Sequence, residues 1–249
     1  VLKFDLSIIS LAIEVNEDLL RCIESCKFSK ITVEHILVIP FKEQHKTKGK
    51  FKGKNFKLVY DNGKGVYSAI NEGLKFIDGR KILILHGDNY ISIDGSKIIE
   101  NNISENQTIQ YGSNIKNYNN KQKPFINVKV NFINLLLGLY PPHPGLVIDE
   151  KDFINLGFYS SEYKICSDFD YYLRLYRNRI RVKYLKSCII ISPSGGISSS
   201  GLTSILSIAI ERFKILKKYY WFLSPILPIT ITIGYGIKLF HRYFLTKTF

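Results

Sequence analysis

The chain has 249 residues, 45% of them hydrophobic and 22% charged, which suits one large α/β domain or two small ones with a sizeable core. Lys and Arg number 35 against 21 Asp and Glu, and the formal net charge of +14 favours anionic partners: phosphate groups, nucleic acid or acidic lipid headgroups. The four cysteines (Cys22, Cys26, Cys166, Cys188) match no zinc or disulfide spacing and suit a reducing cytoplasm; Cys22 and Cys26, four apart on an expected helix, share a buried face rather than form a metal pair.

From Val1 no signal-peptide pattern is evident. Apolar runs predict strands at Phe4–Ile13, Ile31–Ile39, Phe56–Tyr60 and Lys81–His86. Helical periodicity predicts helices at Asn16–Cys26, with Asn16 as cap, and at Gly65–Ile77. This β-α-β-β-α-β order, with near-continuous apolar strands, predicts a parallel-rich sheet covered by helices. Ligands of open α/β sheets bind beyond the carboxyl ends of the strands. The fourth strand ends there in ILILHGDNYIS, which turns abruptly polar at His86-Gly87-Asp88-Asn89. Gly-Asp-Asn is good turn chemistry, so the motif reads either as a plain strand end or as a ligand site.

Residues 42–57, KEQHKTKGKFKGKNFK, carry seven lysines and one glutamate and are expected to form a solvated, mobile loop or a phosphate- or membrane-facing one. Residues 101–123 suggest a hairpin and loops. Residues 141–198 predict strand, short helix, loop, helix and strand, with a helix from about Ser167 to Arg177 that holds Asp168 in its first turn, where the helix dipole favours a carboxylate. Leu202–Lys218 is amphipathic. Tyr219–Ile237 runs 19 residues without a charge, close to the ~20 needed to span a bilayer, but Pro225, Pro228, Gly234 and Gly236 interrupt it. Interfacial or re-entrant membrane attachment is the first expectation for this region, ahead of a true span or a partner-binding helix.

Three segments together resemble a family 2 glycosyltransferase of the GT-A fold. The first is Asp61–Asp88, DNGKGVYSAINEGLKFIDGRKILILHGD. The second is Pro142–Leu175, with His143, the run IDEKDFINLGFYSSEYKI and the block SDFDYYLRL. The third is SGGIS at Ser194–Ser198, with Glu211 following on a helix. Their order and spacing resemble bacterial polysaccharide members, including the colanic-acid type, over roughly residues 5–215.

The resemblance implies a mixed, mostly parallel sheet flanked by helices. It implies a donor half at residues 1–105, an acceptor and catalytic half at 106–200, and a basic, membrane-associating helical region at 201–249. It further implies transfer, with inversion, from a nucleotide-diphosphate sugar to a hydroxyl of a polyprenyl-linked glycan at the cytoplasmic face of the membrane. Its assignments on the donor side are Ser68, Asn71, His86, Gly87 and Asp88.

Negative charge grows on the leaving diphosphate in such a reaction, so a hard divalent cation, Mn²⁺ or Mg²⁺, lowers the barrier. Asp88 aligns with the family's metal-binding aspartate, and Asn89 assists through its carbonyl oxygen or a bound water. The acceptor hydroxyl needs a base in hydrogen-bond reach. By resemblance this is Asp168, with Asp170 as competitor; two residues apart on a helix, they face different directions. Simple helix capping is the alternative role for Asp168. His143, in the rigid turn PPHPG, matches a position near the acceptor or diphosphate, and Arg174 is either a diphosphate contact or a salt-bridge partner.

Departures from the family are visible. Val38-Ile39-Pro40-Phe41-Lys42-Glu43 replaces its acidic, glycine-rich turn, the tetrapeptide at the fourth strand has one Asp rather than two, and Ser68 stands where an Asp is usual. Competing readings are a non-catalytic scaffold with the same fold and a nucleotidyltransferase. A nucleic-acid-binding protein is disfavoured, because no helix-turn-helix, zinc or RNA-binding motif accompanies the positive charge.

Overall fold

The computed structural model describes residues 3–51, 53–116, 122–124, 128–193 and 202–247. The SGGIS segment, and the tip of the hairpin expected between 101 and 123, lie outside them.

The first half forms as the hydrophobic pattern dictates. Strands β1 (Phe4–Leu11), β2 (Val33–Pro40), β3 (Phe56–Asp61) and β4 (Gly79–His86) pair in parallel in the order β3-β2-β1-β4. Between them run helices α1 (Glu17–Ser25), α2 (Gln44–Thr47) and α3 (Val66–Leu74). Both faces of the strands are covered, which is why their sequences are apolar throughout. On β1 and β4, Ile9, Leu11, Ile82 and Ile84 join the core under α3; Leu6, Ile8, Leu83 and Leu85 pack on the opposite face with Cys22 of α1. Asn16 caps α1 as expected, its Oδ1 accepting from Leu19 N at 3.0 Å.

The second half adds β5 (Tyr90–Ile91), α4 (Gly95–Asn102), β6 (Thr108–Lys116), β7 (Gln122–Pro124), α5 (Phe132–Leu136), β8 (Leu146–Asp149), α6 (Glu150–Leu156), α7 (Ser167–Arg177) and β9 (Val182–Pro193). Strand β8 inserts antiparallel between β4 and β6, while β9 runs parallel to β6. The sheet, in the order β3-β2-β1-β4-β8-β6-β9-β5 with β7 on β6, is therefore mixed, its long pairings parallel and its short ones antiparallel, as expected. The reversal at β8 has a visible anchor. Lys81 of β4, fully buried, pairs with Asp149 of β8 at 2.9 Å and donates to the Gln107 carbonyl at 2.6 Å. Asp149→Asn keeps an oxygen to cap α6 but leaves a buried ammonium unpaired. We expect a stability loss of about 3–5 kcal/mol, read from denaturant midpoints at unchanged slope.

Two expectations change. The lysine-rich stretch begins not as a mobile loop but as a 3₁₀ turn (Phe41–Glu43) leading into α2. Glu43 and Thr47 are buried there; Glu43 accepts from Val15 N at 3.2 Å, and the Thr47 hydroxyl hydrogen-bonds with that of Tyr60 at 2.9 Å. The uncharged run 219–237 is not one segment either. Helix α8 (Leu202–Tyr219) ends, a 3₁₀ turn follows at Trp221–Leu223, and α9 (Leu227–Lys247) starts with Pro228 in its first turn, where proline's missing N–H costs nothing. Among the described residues no helix is long and apolar enough to cross a membrane.

Candidate active site

The carboxyl ends of β1–β4 lie level, with Leu11 beside His86 and Pro40 beside Asp61. The chain leaves β4 in a tight turn, Asn89 N donating to the His86 carbonyl at 2.8 Å. Gly87 is required there by proximity: its N–H reaches the Leu11 carbonyl at 2.6 Å, and a Cβ would lie 2.9 Å from both that oxygen and the Ala12 side chain. This pins the turn against the end of β1 and leaves Asp88 exposed at its tip, while Asn89 is 3% exposed.

No group of three or more His, Cys, Asp or Glu side chains able to hold a metal occurs among the described residues. A single exposed carboxylate does not make a protein-only cage. It does fit a Mg²⁺-type ion, which is commonly bound by one or two carboxylates plus substrate phosphates and water.

Asp168 lies in the first turn of α7 and is half-buried. Its Oδ1 accepts from Phe169 N at 2.7 Å and from the Tyr140 hydroxyl at 3.4 Å; Tyr67 also faces it. Burial raises its carboxyl above the usual range, opposed by the Phe169 N–H and by the charges of Arg212 and Lys238. Asp170 has a different environment. It is 2% exposed, paired with Arg174 Nε at 2.9 Å, and it accepts from the Tyr219 hydroxyl at 2.8 Å. Of the two carboxylates, Asp170 is bound up in the core and Asp168 faces tyrosines and cations.

An aromatic chain links the two ends of the site. His143, buried, lies 2.5 Å from the Tyr159 hydroxyl through Nε2. Tyr159 stacks on Tyr171 at 4.3 Å and on Tyr67 at 6.0 Å, and the Tyr67 hydroxyl donates to the Ile165 carbonyl at 2.7 Å, just ahead of Asp168. Burial and the nearby His86 hold the His143 imidazolium down at about 3, so its ring is neutral near pH 7, with Nε2 against the Tyr159 hydroxyl.

The other residues singled out from the sequence are placed as follows. Asn71 spends its amide on the Tyr159 backbone, donating to the carbonyl at 2.8 Å and accepting from the N–H at 2.9 Å. Gly73, two residues on, lets α3 sit close on the sheet, since a Cβ would meet Ile9 at 2.7 Å. Ser68 is half-buried in the first turn of α3. Arg174 is engaged by Asp170, by the Leu156 carbonyl and by the Tyr171 ring at 4.9 Å, so it braces α7 against α6.

The C-terminal helices supply Glu211, which the resemblance had marked after SGGIS, and two cations, Arg212 and Lys238, that were not singled out. Glu211 of α8 accepts from three consecutive N–H groups, Lys164 at 2.9, Ile165 at 3.0 and Cys166 at 2.8 Å. These lead directly into α7, so a carboxylate holds the helix start where its dipole favours negative charge. Next to it, Arg212 is 6% exposed and lies over the rings of Tyr140 and Phe169 at 5.5 and 5.8 Å. Lys238 of α9 donates to the Gly138 carbonyl at 2.8 Å and lies over Tyr140 at 5.0 Å. The sequence signals were slight: a charged pair inside an amphipathic helix, and one lysine closing an uncharged run.

The fold is that of an α/β protein in which the carboxyl ends of the parallel strands, where open sheets of this kind bind ligands, carry Asp88. No family profile and no curated protein matches the chain, but solved structures of S. aureus TarS are similar in fold. TarS 1-349 aligns at 18% identity over 85% of this chain and 69% of that one, with a TM-score of 0.57. Its complex with UDP-GlcNAc aligns at 18% over 86% and 71%, with a TM-score of 0.59. Against a longer TarS structure, at 17% identity and a TM-score of 0.58, this chain covers 42% of that chain's length. TarS 1-349 has also been solved with UDP.

Proposed function

We propose that this chain is an inverting glycosyltransferase of the family 2 type. It moves a sugar from a nucleotide-diphosphate donor to a hydroxyl of a lipid-linked glycan in bacterial surface polysaccharide synthesis. The observation that carries this reading is Asp168: a carboxylate raised by burial, held at a helix start by Glu211, and joined through Tyr67, Tyr159 and His143 to the strand mouth that bears Asp88. The fold shared with a protein solved with UDP and UDP-GlcNAc supports it.

In this reading residues 1–105 receive the donor, and 106–200 position the acceptor. The acceptor oxygen attacks the anomeric carbon as the bond to the diphosphate breaks, and its proton passes to Asp168. Mn²⁺ or Mg²⁺ held by Asp88, with Asn89 beside it, would stabilise charge on the leaving diphosphate. Tyr67 and Tyr140 fix the carboxylate's direction.

Attachment to a membrane surface, in this reading the cytoplasmic face, draws its support from the outer surface of α9 and the turn before it, which favour a membrane but not a particular face. Ile226, Ile229, Ile233, Ile237, Trp221 and Phe222 are all exposed there, a large apolar patch on a strongly basic chain.

The test is calorimetric titration of UDP, GDP and dTDP, with and without Mn²⁺, into wild type and Asp88→Asn. One nucleotide is expected to bind in a metal-dependent way, at least about tenfold more weakly in the variant. Folded wild type that binds none of them would favour the scaffold instead.

A further inference from the structure

Arg212 and Lys238 stand out in the charge distribution. They come from different helices, α8 and α9, and meet over one ring, that of Tyr140. Among the described residues neither forms a salt bridge with a carboxylate within 4 Å. Arg212 is 6% exposed, yet its Nε has no hydrogen-bond partner among those residues. The nearest negative group they share is Asp168, which bonds the hydroxyl of the same Tyr140. Two desolvated cations against one carboxylate leave an excess positive charge in a low-dielectric setting. That is costly unless an anion completes it or the lysine gives up its proton. Burial and Arg212 together push the Lys238 ammonium down to about 7, as expected for a cation lacking its counter-charge.

We propose that Arg212 and Lys238 form a phosphoryl-binding subsite beside Asp168, taking a phosphate or diphosphate group carried by one of the substrates. The proposal rests on the glycosyltransferase reading for its place in the reaction. Arginine's fork suits two phosphate oxygens, and the lysine adds a point charge. Both helices that supply the cations also carry exposed apolar residues, Leu206 and Ile210 on α8 and Ile233 and Ile237 on α9. A phosphoryl group at the headgroup end of a lipid-linked acceptor would thus meet cations and membrane surface on the same two helices. The donor's leaving diphosphate has the same chemistry and is the other source.

The experiment is calorimetric titration of inorganic pyrophosphate into the full chain in metal-free buffer, so that the Asp88 end contributes no ion. Wild type is expected to bind one equivalent. Lys238→Gln and Arg212→Lys should each weaken binding at least tenfold, and Lys238→Arg should restore it. Melting temperature reports whether each variant folds; should the buried Arg212 not tolerate change, the half-buried Lys238 alone decides. Repeating the titration with saturating UDP separates the sources: additive binding assigns the subsite to the acceptor, competition to the donor's diphosphate. Folded wild type that binds no pyrophosphate, or Lys238→Gln that binds it as tightly as wild type, overturns the proposal. UDP titration with Mn²⁺ on the same protein keeps the outcomes distinct, because UDP binding without a pyrophosphate site removes the subsite and leaves the enzyme reading standing.

Discussion

Asp168→Asn is expected to lower kcat for sugar transfer by about 10²–10⁴-fold while leaving UDP affinity within about twofold, the pattern for removal of a general base. The amide keeps the shape and the contact to Phe169 N but cannot take the acceptor's proton. A purely structural Asp168 would give a different signature, since the amide would lose only the favourable charge at the helix start, about 0.3–1 kcal/mol of stability, and leave kcat nearly intact in the folded fraction. The pH dependence discriminates further. Because burial raises the Asp168 carboxyl, its proton is held more tightly in the folded chain than in the unfolded one. Its contribution to stability is therefore present at low pH and is lost as pH rises through the folded value. Above that value the ionised carboxylate carries its full desolvation cost. The acid limb of kcat/KM should fall above the ordinary aspartate range of about 3.9, and the asparagine variant should lose that limb. Lys238 acts oppositely on stability: with its ammonium depressed to about 7, the unfolded chain binds more protons between that value and the usual lysine range, so its contribution improves as pH rises through the window. A Tm profile that falls for Asp168→Asn at pH 8, with kcat preserved, would sink the base assignment.

How much of this was legible beforehand depends on which physical signal each residue carries. The parallel half of the sheet was legible because its strands are apolar on both faces and its helices follow their own period; α7, from Ser167 to Arg177, agrees end to end with the predicted helix. Asp168 and Asp88 could be singled out only through the resemblance, because turn chemistry and helix capping are bland roles open to a carboxylate at a strand mouth or a helix start. The split between Asp168 and Asp170 was half legible. Spacing requires them to diverge, but only the placement of Tyr219 and Arg174 shows Asp170 to be the one bound up in the core. Asn71 was open to misreading. A polar residue on a helix at the ligand end of a sheet looks like a donor contact, whereas here its amide completes the backbone of Tyr159, 88 residues away. Arg212 and Lys238 were illegible in practice, since their meaning lies in a meeting between two helices whose apolar character suggests a membrane segment first. The alternation of strand directions was likewise beyond reach, because β8 is only four residues long and its partners are set by the Lys81–Asp149 pair.

Gly234→Ala is expected to undo the junction on which the subsite depends. Helix α9 crosses the turn after α5 so closely that a Cβ on Gly234 would overlap the Leu137 carbonyl oxygen and lie 2.6 Å from its carbon. Neither is a flexible side-chain end. The carbonyl belongs to a turn fixed by Leu137 N to the Ile133 carbonyl at 3.0 Å and Gly138 N to the Leu135 carbonyl at 2.9 Å, and Gly138 itself has φ +65°. The helix must therefore move. Lys238, one turn further along, then loses the Gly138 carbonyl and its place over Tyr140. Overpacking of this kind costs about 3 kcal/mol, and it should remove pyrophosphate binding along with transfer activity. Gly236 provides an internal control. It lies on the same helix, and a Cβ there would have nothing within 4 Å, so Gly236→Ala removes only glycine's helix penalty and should stabilise by about 0.5–1 kcal/mol. The two alanines differ by two positions and by nothing in chemistry, so propensity predicts the same gain for both and close packing predicts opposite signs. If Gly234→Ala melts like Gly236→Ala and still binds pyrophosphate, α9 does not dock on the Leu137 turn and Lys238 cannot belong to the site.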